Sequence, residues 1–300
     1  MNQTENKVKI EGILSEINVR EGEFKQKTTN VMMPYLSGDI KVRVKQIVNK
    51  VPTEEEVPIS FFVTKYKKDG GENPAYKSVN DLRNNFISLA AAETPEQADC
   101  IRITLASIRE NMFYGRDGRF VSMPQINSSF FNKISRTECT PDASFQAVIC
   151  IGNIKEEIDK NGDPTGSLII QGILPQYGGK VDVADFYVRS PEAVDFISTN
   201  WKQGDTVRVA GKVNFSATTT YTEEEMGFGE PVITPHTVSV RELIITSGSP
   251  SGFEGDMALD TNEIATALQE RQQRILALKK NSETPKTTNS SNAAFNALGF

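Results

Sequence analysis

Arg116 and Arg119 frame an Asp117-Gly118 pair, and Phe113, Tyr114 and Phe120 stand close by on either side. Guanidinium groups beside flat rings can do two things together. Fixed positive charge holds phosphates, and exposed aromatic faces stack nucleic-acid bases. Neither task needs a nucleophile or a proton transfer. Gly115–Arg119 reads as a tight hairpin turn, since Asp-Gly tolerates the positive φ such a turn demands. One ring alone could simply plug the end of a barrel, but the whole cluster points to contact with a ligand.

Other candidates lie on flanking strands. Lys41, Arg43 and Lys45 alternate with Ile40, Val42 and Val44, so the three cations share one strand face as a positive stripe. A solvated face is the plainer reading of that stripe. Arg109 shares a face with Asn111 and Phe113, and Tyr66 closes the run Val57–Tyr66. Tyr35, Phe62 and Tyr76 are second-rank stacking candidates, and those that point inward belong to the core.

No catalytic constellation accompanies these residues. The single histidine, His236, sits beside an expected last strand, and the Glu223–Glu225 run lacks the spacing of an oxygen-ligand site. Phosphate-loop motifs are missing; Gly178-Gly179-Lys180 alone carries no such meaning. Cys100, Cys139 and Cys150 lack metal-ligand spacing and suit a reducing cytoplasm. The sequence therefore predicts no catalytic residue, no metal and no cofactor. No apolar run approaches the ~18 residues of a membrane span, and the N-terminus has no signal-peptide pattern.

The elements that must position the cluster are mostly strands. Ile101–Phe131 opens with Ile101, Ile103 and Leu105 on one face, shifts phase at Ser107-Ile108, and turns back at Phe120. Before it come strands at Lys7–Arg20, Asp39–Val48 and Val57–Tyr66, a long loop or irregular strand at Glu21–Gly38, and a helix at Ser78–Ala92. Three strands, a helix and two strands is the order of an oligonucleotide-binding (OB) barrel. After a polar break near Glu138 the order repeats. Strands are expected at Phe145–Ile158, Leu168–Leu174, Val181–Arg189, Thr206–Tyr221 and Thr237–Thr246, with a helix at Pro191–Trp201. Asp99-Cys-Ile-Arg-Ile matches Asp205-Thr-Val-Arg-Val, and Gly12 is paired with Gly152.

The expected fold is thus mainly β, with two tandem OB-like five-stranded barrels at 1–137 and 138–248, each with one helix. A third segment, 249–300, holds a helix at Thr261–Lys280 and a polar, flexible tail. Charge divides unevenly. The net −6 resolves into 20 Lys/Arg against 17 Asp/Glu in 1–137, 8 against 16 in 138–248, and 5 against 6 in 249–300. The first barrel is the plausible polyanion binder, and the second suits a protein partner or a neighbouring copy.

Tandem barrels, a basic aromatic first unit and a tail ending in phenylalanine resemble the single-stranded DNA-binding proteins of replication, most of all those of bacteriophages. The resemblance covers roughly 5–248 and the tail, and no motif in it is family-specific. It implies sequence-independent binding of single-stranded DNA, or RNA, without enzymatic activity, in replication, recombination or repair in a bacterial cytoplasm. It also implies recruitment of replication proteins through Phe295, Leu298 and Phe300, though the acidic residues that usually precede such a terminus are absent here. The alternative is a protein-interaction or virion-assembly module whose barrels hold no nucleic acid.

Overall fold

A computed structural model of the chain describes residues 3–26, 30–48, 51–115, 117–224 and 232–283, with backbone alone at most positions from 216 to 239. Five strands form the first barrel: β1 (Asn6–Lys25), β2 (Met32–Val48), β3 (Val51–Thr64), β4 (Cys100–Tyr114) and β5 (Phe120–Asn127). They close a ring in the order β1-β2-β3-β5-β4-β1, antiparallel except where β3 meets β5. A short β6 (Asn132–Ile134) adds to β4. The second ring repeats this with β7 (Asp142–Ile158), β8 (Pro164–Pro175), β9 (Val181–Val188), β10 (Thr206–Glu224) and β11 (Val232–Gly248). Its order is β7-β8-β9-β11-β10-β7, again with one parallel pair, β9–β11. Helix α1 (Pro74–Asn85) and helix α2 (Pro191–Asn200) each join the third strand of a ring to its fourth. This is the mainly β, tandem OB-like architecture that strand order predicts.

Inward alternation fills both rings. Val8, Ile10, Leu36, Ile40, Val57 and Ile59 are buried in the first, and Phe145, Phe186, Val207 and Leu243 in the second. Each helix closes its barrel with a few apolar residues, Val79 and Leu82 from α1 and Ile197 from α2. Burying such a side chain is worth roughly 1.5–3 kcal/mol.

Several sequence expectations need correction. Helix α1 begins at Pro74 rather than Ser78, because the Asn73 side chain accepts from Ala75 N at 3.1 Å and caps it. It stops at Asn85, and the next segment is held to β1 by Leu89 N→Leu14 O (2.8 Å) and Ala90 N→Ser15 O (3.1 Å). Of the two readings of Glu21–Gly38, a long loop or an irregular strand, the strand holds: the stretch is largely a two-stranded ribbon, paired from Arg20↔Ser37 to Lys25↔Met32. The phase shift in β4 lies at Thr104-Leu105, which together oppose Lys9 between the pairs Val8↔Ala106 and Ile10↔Ile103. Leu105 consequently faces solvent, 68% exposed, instead of joining Ile101 and Ile103 inside.

The internal repeat is visible in hydrogen bonds. Leu14 N donates to Asp99 O and Ile151 N to Asp205 O, both at 2.8 Å. Asp99 and Asp205 are therefore equivalent, as their spacing predicts. Gly12, two residues before Leu14, corresponds to Ile149 and not to Gly152.

The rings share more than a linker. The N-terminal half of β1 pairs with β7 from Asn6↔Ala147 to Glu11↔Asp142, so β4-β1-β7-β10 is one continuous sheet. Gln46 spans the junction: its Nε2 donates to Val213 O (2.7 Å) and its Oε1 accepts from Ala143 N (3.2 Å). Helix α3 (Thr261–Glu283), capped by the Asp260 carboxylate, lies across the same seam. Ile264 and Ala267 pack against Cys150, Ile173 and Val181. Arg271 Nε donates to Glu110 Oε2 of β4 at 2.8 Å, while Arg274 Nη2 donates to Val181 O of β9, also at 2.8 Å. The helix thus straps one barrel to the other.

Candidate nucleic-acid interface

The outward face of the β1-β2-β3 ribbon carries three aromatic rings in mutual contact. Tyr35 and Phe62 have ring centroids 5.1 Å apart, with Phe24 at 6.0 Å from Tyr35 and 6.4 Å from Phe62. Pairing explains why they meet. Gly22 lies opposite Tyr35, Phe24 opposite Met33, and Ser37 opposite Phe62, so the outward positions of three strands converge. Gly22 leaves room for the ring: a Cβ there would stand 2.5 Å from the Tyr35 hydroxyl and 2.6 Å from Cζ, so Tyr35 would have to move. All three rings are half-buried. Tyr66 follows two residues past Thr64 on the same run and is exposed, with Lys65 Nζ 5.7 Å from its ring centroid. Tyr76, by contrast, lies in the first turn of α1 and packs against the core.

The hairpin chosen from sequence forms as expected. Tyr114 pairs with Phe120, Gly118 has φ +76°, and Gly115 N donates to Arg119 O at 2.8 Å. Phe113 and Phe120 are each 38% exposed, and Tyr114 lies 5.5 Å from Phe120. Arg119 is highly exposed and holds Asp117 at 3.5 Å. Arg116 lies outside the described residues, as do Phe295, Leu298 and Phe300. The register Ile59↔Ile126 places this hairpin at the Glu54 end of β3, while the aromatic triad is at the Thr64 end. The two aromatic groups are separated by about 26 Å of strand, eight residues at ~3.3 Å each.

Between them runs the Lys41-Arg43-Lys45 stripe, which does share one face. Carboxylates meet each cation: Glu16 holds Lys41, Glu56 lies 3.3 Å from Arg43, and Glu54 lies 3.2 Å from Lys45. The Glu16 bond raises the Lys41 ammonium above its ordinary value, and the same bond lowers the Glu16 carboxyl. The stripe is charge-balanced across β1, β2 and β3. Arg109 is drawn elsewhere, with its Nε donating to Asp182 Oδ2 of the second barrel at 2.7 Å. Burial pushes the Asp182 carboxyl up against the pull of that guanidinium. Among the described residues there is no group of three or more His, Cys, Asp or Glu able to hold a metal, and no helix long and apolar enough to cross a membrane.

The second barrel's corresponding face is differently furnished. Tyr187 of β9 is covered by the Arg189 guanidinium at 4.9 Å, and Arg189 is itself tied to Glu157 and Glu242. Two closed five-stranded rings with one helix each, of which the first, among the described residues, bears the clustered aromatic face, define a tandem OB-like protein. The YorF family model matches residues 4–281, and the chain belongs to that family. No curated protein matches it. Among solved structures, a deletion variant of the single-stranded DNA binding protein from Thermus aquaticus matches with 12% identity and a TM-score of 0.43, covering 85% of this chain and 98% of that one. The wild-type Thermus aquaticus protein gives the same identity and score over 87% and 99%. A replication protein A heterotrimer bound to single-stranded DNA matches at 7% identity and a TM-score of 0.23, over 91% and 70%.

Proposed function

We propose that the chain binds single-stranded DNA without sequence preference, stacking bases on the β1-β2-β3 face of the first barrel. The carrying observation is the Phe24-Tyr35-Phe62 cluster, three rings within 5.1–6.4 Å on a partly open sheet face. Every base has a π-face, so stacking is indifferent to sequence, and a single strand can splay its bases where a duplex cannot. Tyr66 extends the stacking surface, and the hairpin residues Phe113, Tyr114, Arg116, Arg119 and Phe120 form a second contact at the far end of β3. Lys41, Arg43 and Lys45 join these two contacts once phosphates displace their carboxylate partners. Arg109 is better suited to holding the barrels together.

The barrels at 1–137 and 138–248 divide the work. The acidic second barrel faces proteins or a neighbouring copy along the strand, and the tail residues Phe295, Leu298 and Phe300 recruit replication proteins. The setting is phage DNA replication, recombination or repair in the bacterial cytoplasm, with no chemistry on the strand. Fluorescence anisotropy of labelled oligo-dT against duplex DNA, at two salt concentrations, tests the reading. Tight, salt-sensitive binding to the single strand and weak binding to the duplex are expected. No binding to any oligonucleotide at low salt would overturn it in favour of an interaction module.

A further inference from the structure

We infer that the seam between the barrels carries a second anion-binding groove, one that holds the sugar-phosphate backbone of a nucleic-acid strand rather than its bases. The groove is a concavity of about 450 Å3 over the outer face of the continuous β4-β1-β7-β10 sheet. Its floor is made of small or short side chains, Thr104, Ser144, Ala210 and Gly211, and Lys7, Lys9 and Lys212 stand around it. The register brings these cations together: Lys7 lies opposite Gln146, Lys9 opposite Ser144, and Lys212 on the other side of Ser144. A neighbouring hollow shares Gln146 and Ala210 and continues the path to Arg208 and Phe253.

Ion pairing on this face leaves positive charge over. Glu5 serves two cations, Lys7 at 3.2 Å and Arg208 at 3.1 Å. Glu11 is buried and satisfied by Arg102 Nε at 2.7 Å and by Thr140 N at 2.7 Å, so Lys9 at 3.8 Å is its outlying partner. Only Lys212 and Asp142 match one to one. Five cations therefore meet three carboxylates. The Lys7 and Lys9 side chains remain 70% and 53% exposed. The floor of the first hollow offers hydroxyls and a carboxamide, with Phe145 buried beneath it in the core, which suits phosphates and sugars; the half-buried Phe253 of the neighbouring hollow lies 6.0 Å from the Arg208 guanidinium. The groove also lies on the same strand as the triad, Lys7 and Lys9 near the start of β1 and Phe24 near its end. A strand held by its bases at one end of β1 can be held by its backbone at the other. The occupant rests on the single-strand reading above; the groove's affinity for phosphate esters does not.

The test uses the full chain and two probes, oligo-dT of about 30 nucleotides, longer than the roughly 4–16 that one barrel covers, and an abasic deoxyribose-phosphate oligomer of equal length. Lys7→Ala/Lys9→Ala is compared with wild type, and Lys155→Ala/Lys160→Ala, in exposed lysines of the second barrel, serves as control. Binding of the abasic oligomer is expected to weaken roughly fivefold or more in the first variant and to stay unchanged in the control. Its log–log salt slope is expected to fall by about 1.4, two contacts at ~0.7 each. Circular dichroism checks that the fold is intact, and Lys7→Glu/Lys9→Glu is expected to weaken binding further. Abasic binding that is absent in wild type, or equal in wild type and variant, overturns the groove. Failure of oligo-dT to bind wild type, with abasic binding still lost in the variant, would instead overturn base stacking and leave the groove standing.

Discussion

Phe62 and Tyr35 carry the most weight in the proposed stacking. On that proposal each offers a ring to a base, and removing one stacking partner costs about 1–3 kcal/mol. Phe62→Ala or Tyr35→Ala is expected to weaken oligo-dT binding by roughly 5- to 150-fold by anisotropy. Unaltered affinity in both variants would move the site away from this face. Arg109 separates two roles by a different readout. Its bond to the buried Asp182 predicts that Arg109→Ala lowers the denaturation midpoint while leaving the salt slope of DNA binding as it is. A lower slope at unchanged stability would return it to the phosphate path. Arg271→Ala removes the counter-charge of the fully buried Glu110 carboxylate, which Arg271 binds through two nitrogens, and leaves it the Ser122 hydroxyl and the Val183 N–H as donors. A loss of about 3–5 kcal/mol in urea unfolding is expected.

At the scale of elements, β3 carries a titratable feature of its own. Glu55 is buried at the junction, and neither carboxyl oxygen has a hydrogen-bond partner of good geometry, although Thr53, Gln46 and the Phe215 N–H lie nearby. Burial raises its pKa above the ordinary 4.5. A carboxyl raised by folding stabilises fully below its unfolded pKa, and that contribution is lost as pH climbs through the folded value. Wild-type stability is therefore expected to fall as pH rises above about 4.5, and Glu55→Gln to flatten the fall and gain roughly 1–3 kcal/mol at pH 8. Identical pH profiles in urea unfolding would show that Glu55 is already ionised and solvated.

The same scale explains what was legible in sequence. Strand order, the β4-β5 turn and the capped α3 follow from alternation, Asp-Gly and Asp260, all local signals. The β1-β2 ribbon was hidden because its outward side bears Phe24, Tyr35 and Gly22 where polar residues would mark a strand edge. That also leaves Tyr35 and Phe62 second-rank in the sequence and Phe24 without a signal, since Gly22 makes room for Tyr35 only across a register no sequence states. Arg109 looked like a phosphate contact because its partner, Asp182, is 73 positions away. Leu105 faces outward because the β4 bulge falls at Thr104-Leu105, three residues before Ser107-Ile108, and Gly152 answers to Ser15 because hydrogen bonds, not glycines, set the equivalence of the two rings.

The whole molecule behaves as one unit by construction. Buried residues of both rings belong to one continuous core, and α3 ties β4 to β9. A single cooperative transition is expected by calorimetry, with calorimetric and van't Hoff enthalpies equal. Two resolved transitions would mean that the seam is too weak to couple the barrels.

The β1-β7 pairing has a consequence for any attempt to divide the chain. Along Val8–Glu11, β1 pairs with β4 on one side and with β7 on the other. Cut after Glu138, the first half would display a raw strand edge of unpaired N–H and C=O groups, and the second would display its mate on β7. Such edges recruit whatever strand they meet. Each half is the other's guard against aggregation, so a gene for either alone would yield a sticky product, while co-expression of the two would let them find each other.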